Sequence, residues 1–225
     1  MKYIILGLGN FGKALATRLT ELGHETIGVD KNMQKVSQLK EQITHTVCMD
    51  CTDKNAVSSL PLKDCDAVVV AIGEDEASSL LTTALLKQLN VKKIIGRVVS
   101  DLQRTVLEAM QIEEYVVPEE ESAERLAMRL DNSGIVDSFK ISEKYSIIET
   151  KVPERYIGMT LAEADLTKRY NVIVLTVLTL SKGSEGGLAK IFKRASGIAT
   201  PDTVLRENEV LVLFGELEDI ERLMH

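Results

Sequence analysis

Apolar positions in the first half of the chain follow two spacings in alternation. Short β-branched runs at residues 2–6, 25–29, 46–49, 67–72, 93–98 and 115–117 predict strands. Between them, apolar residues recur at helical spacing, as at Leu15, Leu19 and Leu22 in a helix over 11–22. Further helices are predicted over 33–41, 77–89 and 101–110, and Thr52-Asp53 looks like another helix start, an N-cap with an acidic first turn. The run 67–72 is apolar throughout, as in a strand covered by helices on both faces. Strands separated by helices imply parallel neighbours, because parallel pairing needs a crossover. The expected fold is therefore α/β, with a six-stranded, doubly wound parallel sheet.

After Pro118 the rhythm changes. A crossover helix carrying Leu126 and Leu130 runs to Asn132-Ser133-Gly134, which reads as its C-cap and a linker. Strands follow at 136–141 and 145–151, joined by a hairpin turn at 142–144. A helix over 161–168 capped by Thr160, a strand over 171–180, a flexible loop over 181–187, a strand over 210–214 and a closing helix over 216–224 complete the chain. Two domains are expected: 1–133, including the crossover helix, and a smaller α+β domain over 134–225.

Composition narrows the function classes. The chain has 225 residues, 44% apolar and 27% charged, an ordinary globular mix that excludes a disordered polymer. A formal charge of −7, no Trp and only 4% aromatic residues argue against nucleic acid as a partner, which needs a basic face and stacking platforms. No apolar run approaches the ~18 residues of a spanning helix. The start, Met1-Lys2-Tyr3-Ile4, lacks a signal-peptide layout, and three cysteines suit a reducing compartment. The expectation is a soluble, cytoplasmic protein.

The sharpest chemical signal is Gly7-Leu8-Gly9-Asn10-Phe11-Gly12, a G-x-G-x-x-G directly after a strand and opening a helix. Gly7 permits a tight turn, Gly9 lets a pyrophosphate approach the backbone, and Gly12 lets helix and strand pack closely. Asp30, with Lys31 beside it, ends the second strand 18 residues after Gly12, where a carboxylate hydrogen-bonds both ribose hydroxyls and repels a 2′-phosphate. Ligands of such sheets sit beyond the carboxyl ends of the strands. Asp50, Cys51 and Thr52 are thus expected beside an adenine ring, and Ala71, Ile72, Gly73 and Glu74 along the phosphates and second ribose. Arg97, at the end of the fifth strand, is placed to reach a phosphate.

A dehydrogenase would need an acid or base near the nicotinamide. His24, His45 and His225 all fall elsewhere, and the loop Gly73-Glu74-Asp75-Glu76 offers only acids. Catalysis is not expected. Cys48-Met49-Asp50-Cys51 has C-x-x-C spacing but lies in a strand and its end, so a structural role outweighs a redox or zinc role. Glu119-Glu120-Glu121 suits a helix N-terminus. Lys182, Lys190, Lys193 and Arg194 form one basic loop, more often a solvated surface than an anion site.

The glycine motif, Asp30, the Val117-Pro118-Glu119 step, the crossover helix and the appended small domain together resemble the RCK (KTN) fold of Trk/Ktr-type potassium-uptake regulatory subunits over essentially the whole chain. The resemblance implies a Rossmann-like domain that binds an adenine nucleotide (ATP, ADP, NAD or NADH) without turning it over. It also implies pairing into dimers and an octameric ring at the inner face of the membrane, beneath a membrane-embedded potassium-translocating subunit that the ring gates. Carried over by position, Glu119 would lie at the dimer interface near a terminal phosphate and a divalent cation such as Mg²⁺. Asn10 stands where several ATP-responsive members have Arg, which weakens the case for strong ATP-over-ADP discrimination. A small NAD-dependent dehydrogenase and a free-standing NAD or redox sensor using Cys48 and Cys51 remain as alternatives.

Overall fold

The computed structural model describes residues 1–185 and 188–224. The chain divides into two compact units, Met1–Glu120 and Glu121–His225. The division falls in the first turn of the helix after Pro118, a helix that the sequence pattern kept whole with the first domain.

In the first unit the strands β1 (Lys2–Leu6), β2 (Glu25–Asp30), β3 (His45–Cys48), β4 (Ala67–Val70), β5 (Ile94–Arg97) and β6 (Glu114–Val116) form one parallel sheet in the order β3-β2-β1-β4-β5-β6. The crossovers are α1 (Asn10–Glu21), α2 (Met33–Gln38), α3 (Lys54–Ser58), α4 (Glu76–Gln88) and α5 (Asp101–Ala109). Successive strand residues feed opposite layers. Ile4, Leu6, Val68 and Val70 join one core with Leu86 and Leu107, whereas Ile5 and Val69 join the other with Ala16, Val36 and Leu39. Burial on both faces is why β4 has no polar residue, and each such side chain stabilises the fold by about 1.5–3 kcal/mol.

The helix α6 (Pro118–Asp131) has no buried residue. The strands β7 (Ile135–Lys140), β8 (Tyr145–Lys151), β9 (Ile173–Glu185), β10 (Leu188–Ala195) and β11 (Glu209–Glu216) form an antiparallel sheet in the order β10-β9-β11-β8-β7. Ile148, Leu211 and Leu213 of this sheet share a core with Leu166 of α8 (Leu166–Tyr170) and with Ile220 and Leu223 of α9 (Leu217–Met224). The α+β character expected of this part is present.

Several local expectations change. The single helix over 161–168 is broken into α7 (Leu161–Ala164) and α8, because Asp165 between them adopts φ +47°, outside the right-handed helical region. Thr160 caps α7 in a reciprocal box with Glu163. The strand expected from Asn171 starts at Ile173, since Asn171 is left-handed (φ +55°) and ends α8. The loop expected over 181–187 is strand as far as Glu185, and β10 was missed; Gly186 and Gly187 lie outside the described residues. β11 pairs with β9 only as far as Thr179, so beyond that point β9 and β10 pair with each other alone. Such a ribbon satisfies its backbone groups without the apolar alternation that marks a half-buried strand. At α3 the cap is Asp53, which accepts from the Asn55 and Ala56 amides, and the first turn carries no acid.

Candidate functional site

The loop after β1 is shaped by its glycines. Gly7 has φ +100°, and a Cβ there would come within 2.9 Å of the Ile72 amide nitrogen. A Cβ on Gly12 would overlap the Gly7 carbonyl oxygen, so α1 can start only this close to the strand with glycine at that place. Gly9 differs: nothing lies within 4 Å of its Cβ position. It is the N-cap of α1, and no side chain caps that end. The first-turn amides and the positive end of the helix therefore face the space in front of Gly9 without a competing side chain.

Asp30 ends β2 at 8% exposure. Its Oδ2 accepts from the Leu8 amide and its Oδ1 from the Asn32 amide, both at 2.8 Å. The carboxylate is thus fixed against the glycine loop, and each oxygen keeps a lone pair for a further donor. After β3, Asp50 accepts from the Thr52 amide at 2.9 Å and its hydroxyl at 2.7 Å, and these bonds hold its carboxyl below the usual range. Cys51 beside it is buried; desolvation, with Asp30 and Asp50 adding to it, pushes its thiol up to about 12. After β4, Asp75 caps α4 by accepting from the Ser78 amide and hydroxyl, which lowers its pKa, and Glu74 pairs with Lys35 at 3.4 Å. At the end of β5 the Arg97 guanidinium lies over Gly73, 5.7 Å from the centre of the Phe11 ring, and is ion-paired with Glu119. The next acid, Glu120, holds Arg104 with both oxygens at 2.9 Å.

These strand exits surround a cleft of about 450 Å³. It opens at the carboxyl ends of the strands where β1 and β4 run side by side and the strand order reverses, the place where doubly wound sheets hold ligands. Every expected site residue lines it except Leu8, Phe11, Gly12 and Glu119. Leu8 is buried among Ile5 and Ala16 and gives only its N–H to Asp30. Phe11 supports Arg97, Gly12 packs on Gly7, and Glu119 meets the site only through Arg97. A cation at Glu119 would compete with that ion pair, and among the described residues no group of three or more His, Cys, Asp or Glu side chains could hold a metal. Lys35, Asp75 and Ser78 line the cleft and were missed. Asn32 and Asp75 are N-caps whose positions imply which first-turn residues point back toward the strand ends.

The glycine cradle and the Asp30 carboxylate fit a pyrophosphate and a ribose. The remaining candidates do not gather there. His24 packs edge-on against Tyr3 and precedes β2, and His45 begins β3 beside Glu25, so both sit at the amino ends of strands, away from the cleft; His225 lies outside the described residues. Of the C-x-x-C pair, Cys51 is buried in the cleft wall, Cys48 is exposed in β3, and both are free thiols. The basic loop is part of β9 and β10; Lys193 is paired with Glu149 and Asp137, and the side chains of Lys182 and Lys190 are outside the described set. Among the described residues no helix is long and apolar enough to cross a membrane.

Comparison with known proteins agrees with this architecture. Residues 3–118 match the TrkA-N domain family. The chain is 30% identical over 221 residues to Ktr system potassium uptake protein C of Bacillus subtilis (strain 168), covering 98% of this chain and 95% of the relative. It is 27% identical to Ktr system potassium uptake protein A of the same organism, covering 98% and 94%. A solved structure described as the GsuK channel bound to NAD superposes with a TM-score of 0.63 at 18% identity, over 99% of this chain and 38% of that one. The fold, a Rossmann-like parallel α/β unit followed by a small antiparallel unit, is also that of a solved GsuK RCK domain, which superposes with a TM-score of 0.62 at 21% identity over 99% of this chain and 46% of that one. The chain belongs to the TrkA-N domain family and, over nearly its whole length, to the family of the Ktr system potassium uptake proteins.

Proposed function

We propose that this chain is the nucleotide-binding regulatory subunit of a membrane potassium-uptake system and that the cleft holds an adenine nucleotide: ATP, ADP, NAD or NADH. One observation carries the reading: Gly9 leaves open space at the α1 N-terminus while Asp30 is fixed to the same loop through the Leu8 amide. Pyrophosphate would sit before Gly7 and Gly9, and ribose hydroxyls would donate to Asp30. The adenine would lie by Lys31, Asp50, Cys51 and Thr52, and the far end of the ligand by Ala71, Ile72, Gly73, Glu74 and Arg97, with Asn10 at the start of α1 beside the phosphates. Mg²⁺ enters this scheme only when a terminal phosphate draws Arg97 away and frees the Glu119 carboxylate.

The subunit would work at the cytoplasmic face of the membrane as dimers assembled into an octameric ring, with a membrane-embedded potassium-translocating subunit as its partner. Occupancy changes ring shape and hence transport, a coupling free energy between two sites. No turnover is expected: the cleft offers no histidine, Lys35 is ion-paired with Glu74, and the Cys51 thiol stays protonated at neutral pH. Co-expression with a potassium-translocating subunit in cells unable to take up potassium tests the proposal. Uptake should require this chain and fail with Gly9→Val. Uptake that is indifferent to Gly9→Val would reject nucleotide control, and robust protein-dependent absorbance change at 340 nm with NADH and carbonyl substrates would revive a dehydrogenase.

A further inference from the structure

The buried face of α4 is unusual in composition. Ser79, Thr82 and Thr83 are 2%, 0% and 0% exposed, while Leu81 on the same helix is 61% exposed. Hydroxyls occupy the stripe that a helix packed on a sheet normally fills with apolar side chains. Thr83 is satisfied within the helix by the Ser79 carbonyl at 2.9 Å. The other two reach outward to opposite sides of the cleft. The Thr82 hydroxyl donates to the carbonyl of Cys51 at 3.2 Å, in the loop after β3. The Ser79 hydroxyl accepts from Nε2 of Gln103 at 3.1 Å. Gln103 is 0% exposed, and its Oε1 in turn accepts from the Val99 amide at 2.8 Å, two residues beyond Arg97.

One helix therefore ties down two walls of the cleft, and its own first turn supplies Asp75 and Ser78 to the lining. Buried polar groups are costly unless fully paired, and a fully paired network holds its members in one arrangement. Leucine at these positions would give a simpler core but would remove the ties from Thr82 to the Cys51 carbonyl and from Ser79 to Gln103.

We propose that α4 is a brace that sets the width of the cleft, with Thr82 positioning the Cys51 wall and Ser79, through Gln103, positioning the wall that carries Arg97. These are positioning residues, since none of the three hydroxyl and amide groups acts on the ligand directly. The proposal rests on the nucleotide reading of the cleft, but its geometry can be tested without a ligand. Thr82 acts on the side assigned to adenosine, and Ser79 and Gln103 act on the side assigned to the far end of a dinucleotide. The two ties should therefore affect different ligands.

The test is hydrogen exchange on the free protein, followed by calorimetry with adenosine and with NAD, for wild type, Thr82→Val, Thr82→Ser and Ser79→Ala. In the free protein, Thr82→Val should speed exchange at the Thr52 and Asp53 amides and leave Val99 unchanged, and Ser79→Ala should do the reverse. Thr82→Val should weaken adenosine and NAD by a common factor of about three to ten, the worth of one hydrogen bond. Thr82→Ser should restore both. Ser79→Ala should weaken NAD by a similar factor and leave adenosine unchanged. Unchanged exchange at both loops overturns the brace, as does equal loss of both ligands in both variants. Wild type that binds neither adenosine nor NAD leaves the exchange pattern to decide the brace by itself, and the nucleotide reading then stands or falls with ATP and ADP.

Discussion

Three glycines of one motif do different physical work, and substitution can separate them. Gly9 faces open space, so Gly9→Val should fold with nearly unchanged thermal stability and lose nucleotide binding. Gly12→Ala sets a methyl group against the Gly7 carbonyl oxygen and should lower stability by about 1–3 kcal/mol, with binding lost as a consequence. Melting curves and calorimetry on the two variants check this, and equal destabilisation in both would contradict it. Asp30 has a double role: it would receive the ribose, and it already accepts from the Leu8 and Asn32 amides. Asp30→Ala should weaken every adenosine ligand at least tenfold and also cost about 1–3 kcal/mol of stability, because two amides lose their acceptor. Unchanged ADP affinity would remove the ribose assignment.

Cys51 adds a pH prediction. The folded thiol holds its proton to about 12 against an ordinary value near 9, chiefly through burial. The folded state thus binds more protons than the unfolded state between those values. The contribution of this group to stability is complete below pH 9 and is lost as pH rises from 9 toward 12. Cys51→Ala should show a shallower alkaline loss in denaturation curves. Iodoacetamide at pH 8 should modify the exposed Cys48 and spare Cys51; rapid labelling of Cys51 would contradict the burial.

At the level of elements, the parallel sheet was legible because burial on both faces leaves apolar strands and because each crossover is a helix. The glycine loop and Asp30 were legible for the same reason, as their spacing follows from a strand, a turn and a helix in fixed order. Lys35, Asp75 and Ser78 were hidden because a side chain on the first turn of a helix enters the cleft through cap geometry, not periodicity. The buried hydroxyls of α4 were hidden more deeply, since hydrogen bonds across loops leave no pattern in the chain. In the second unit the break at Asp165 and the pairing of β9 with β10 were missed: one depends on a single backbone angle, the other on partners remote from the apolar pattern. The first turn of α6 carries its own prediction. Glu119 neutralises Arg97 beside the cleft, so Glu119→Gln should leave Arg97 free for an anionic ligand. With Glu119 largely exposed, the gain is bounded at about twofold to fivefold in ADP affinity and should shrink at high salt. The same variant should lose any Mg²⁺ dependence of ATP binding. Identical ATP-to-ADP ratios with and without Mg²⁺ in both proteins would exclude Glu119 from ligand recognition.

For the whole molecule, membership of the Ktr system potassium uptake family and a cleft at the strand exits support the proposed role, a protein that senses a nucleotide without consuming it. The strand exits of the first unit supply a glycine cradle, a fixed carboxylate and a guanidinium whose charge is shared with Glu119. Titration calorimetry of ATP, ADP, NAD and NADH into wild type and Gly9→Val is the most direct test of this account. The account predicts saturable binding of at least one of these nucleotides to wild type and its disappearance in a folded Gly9→Val. Absence of binding by all four to wild type, or equal binding by the two proteins, would contradict it.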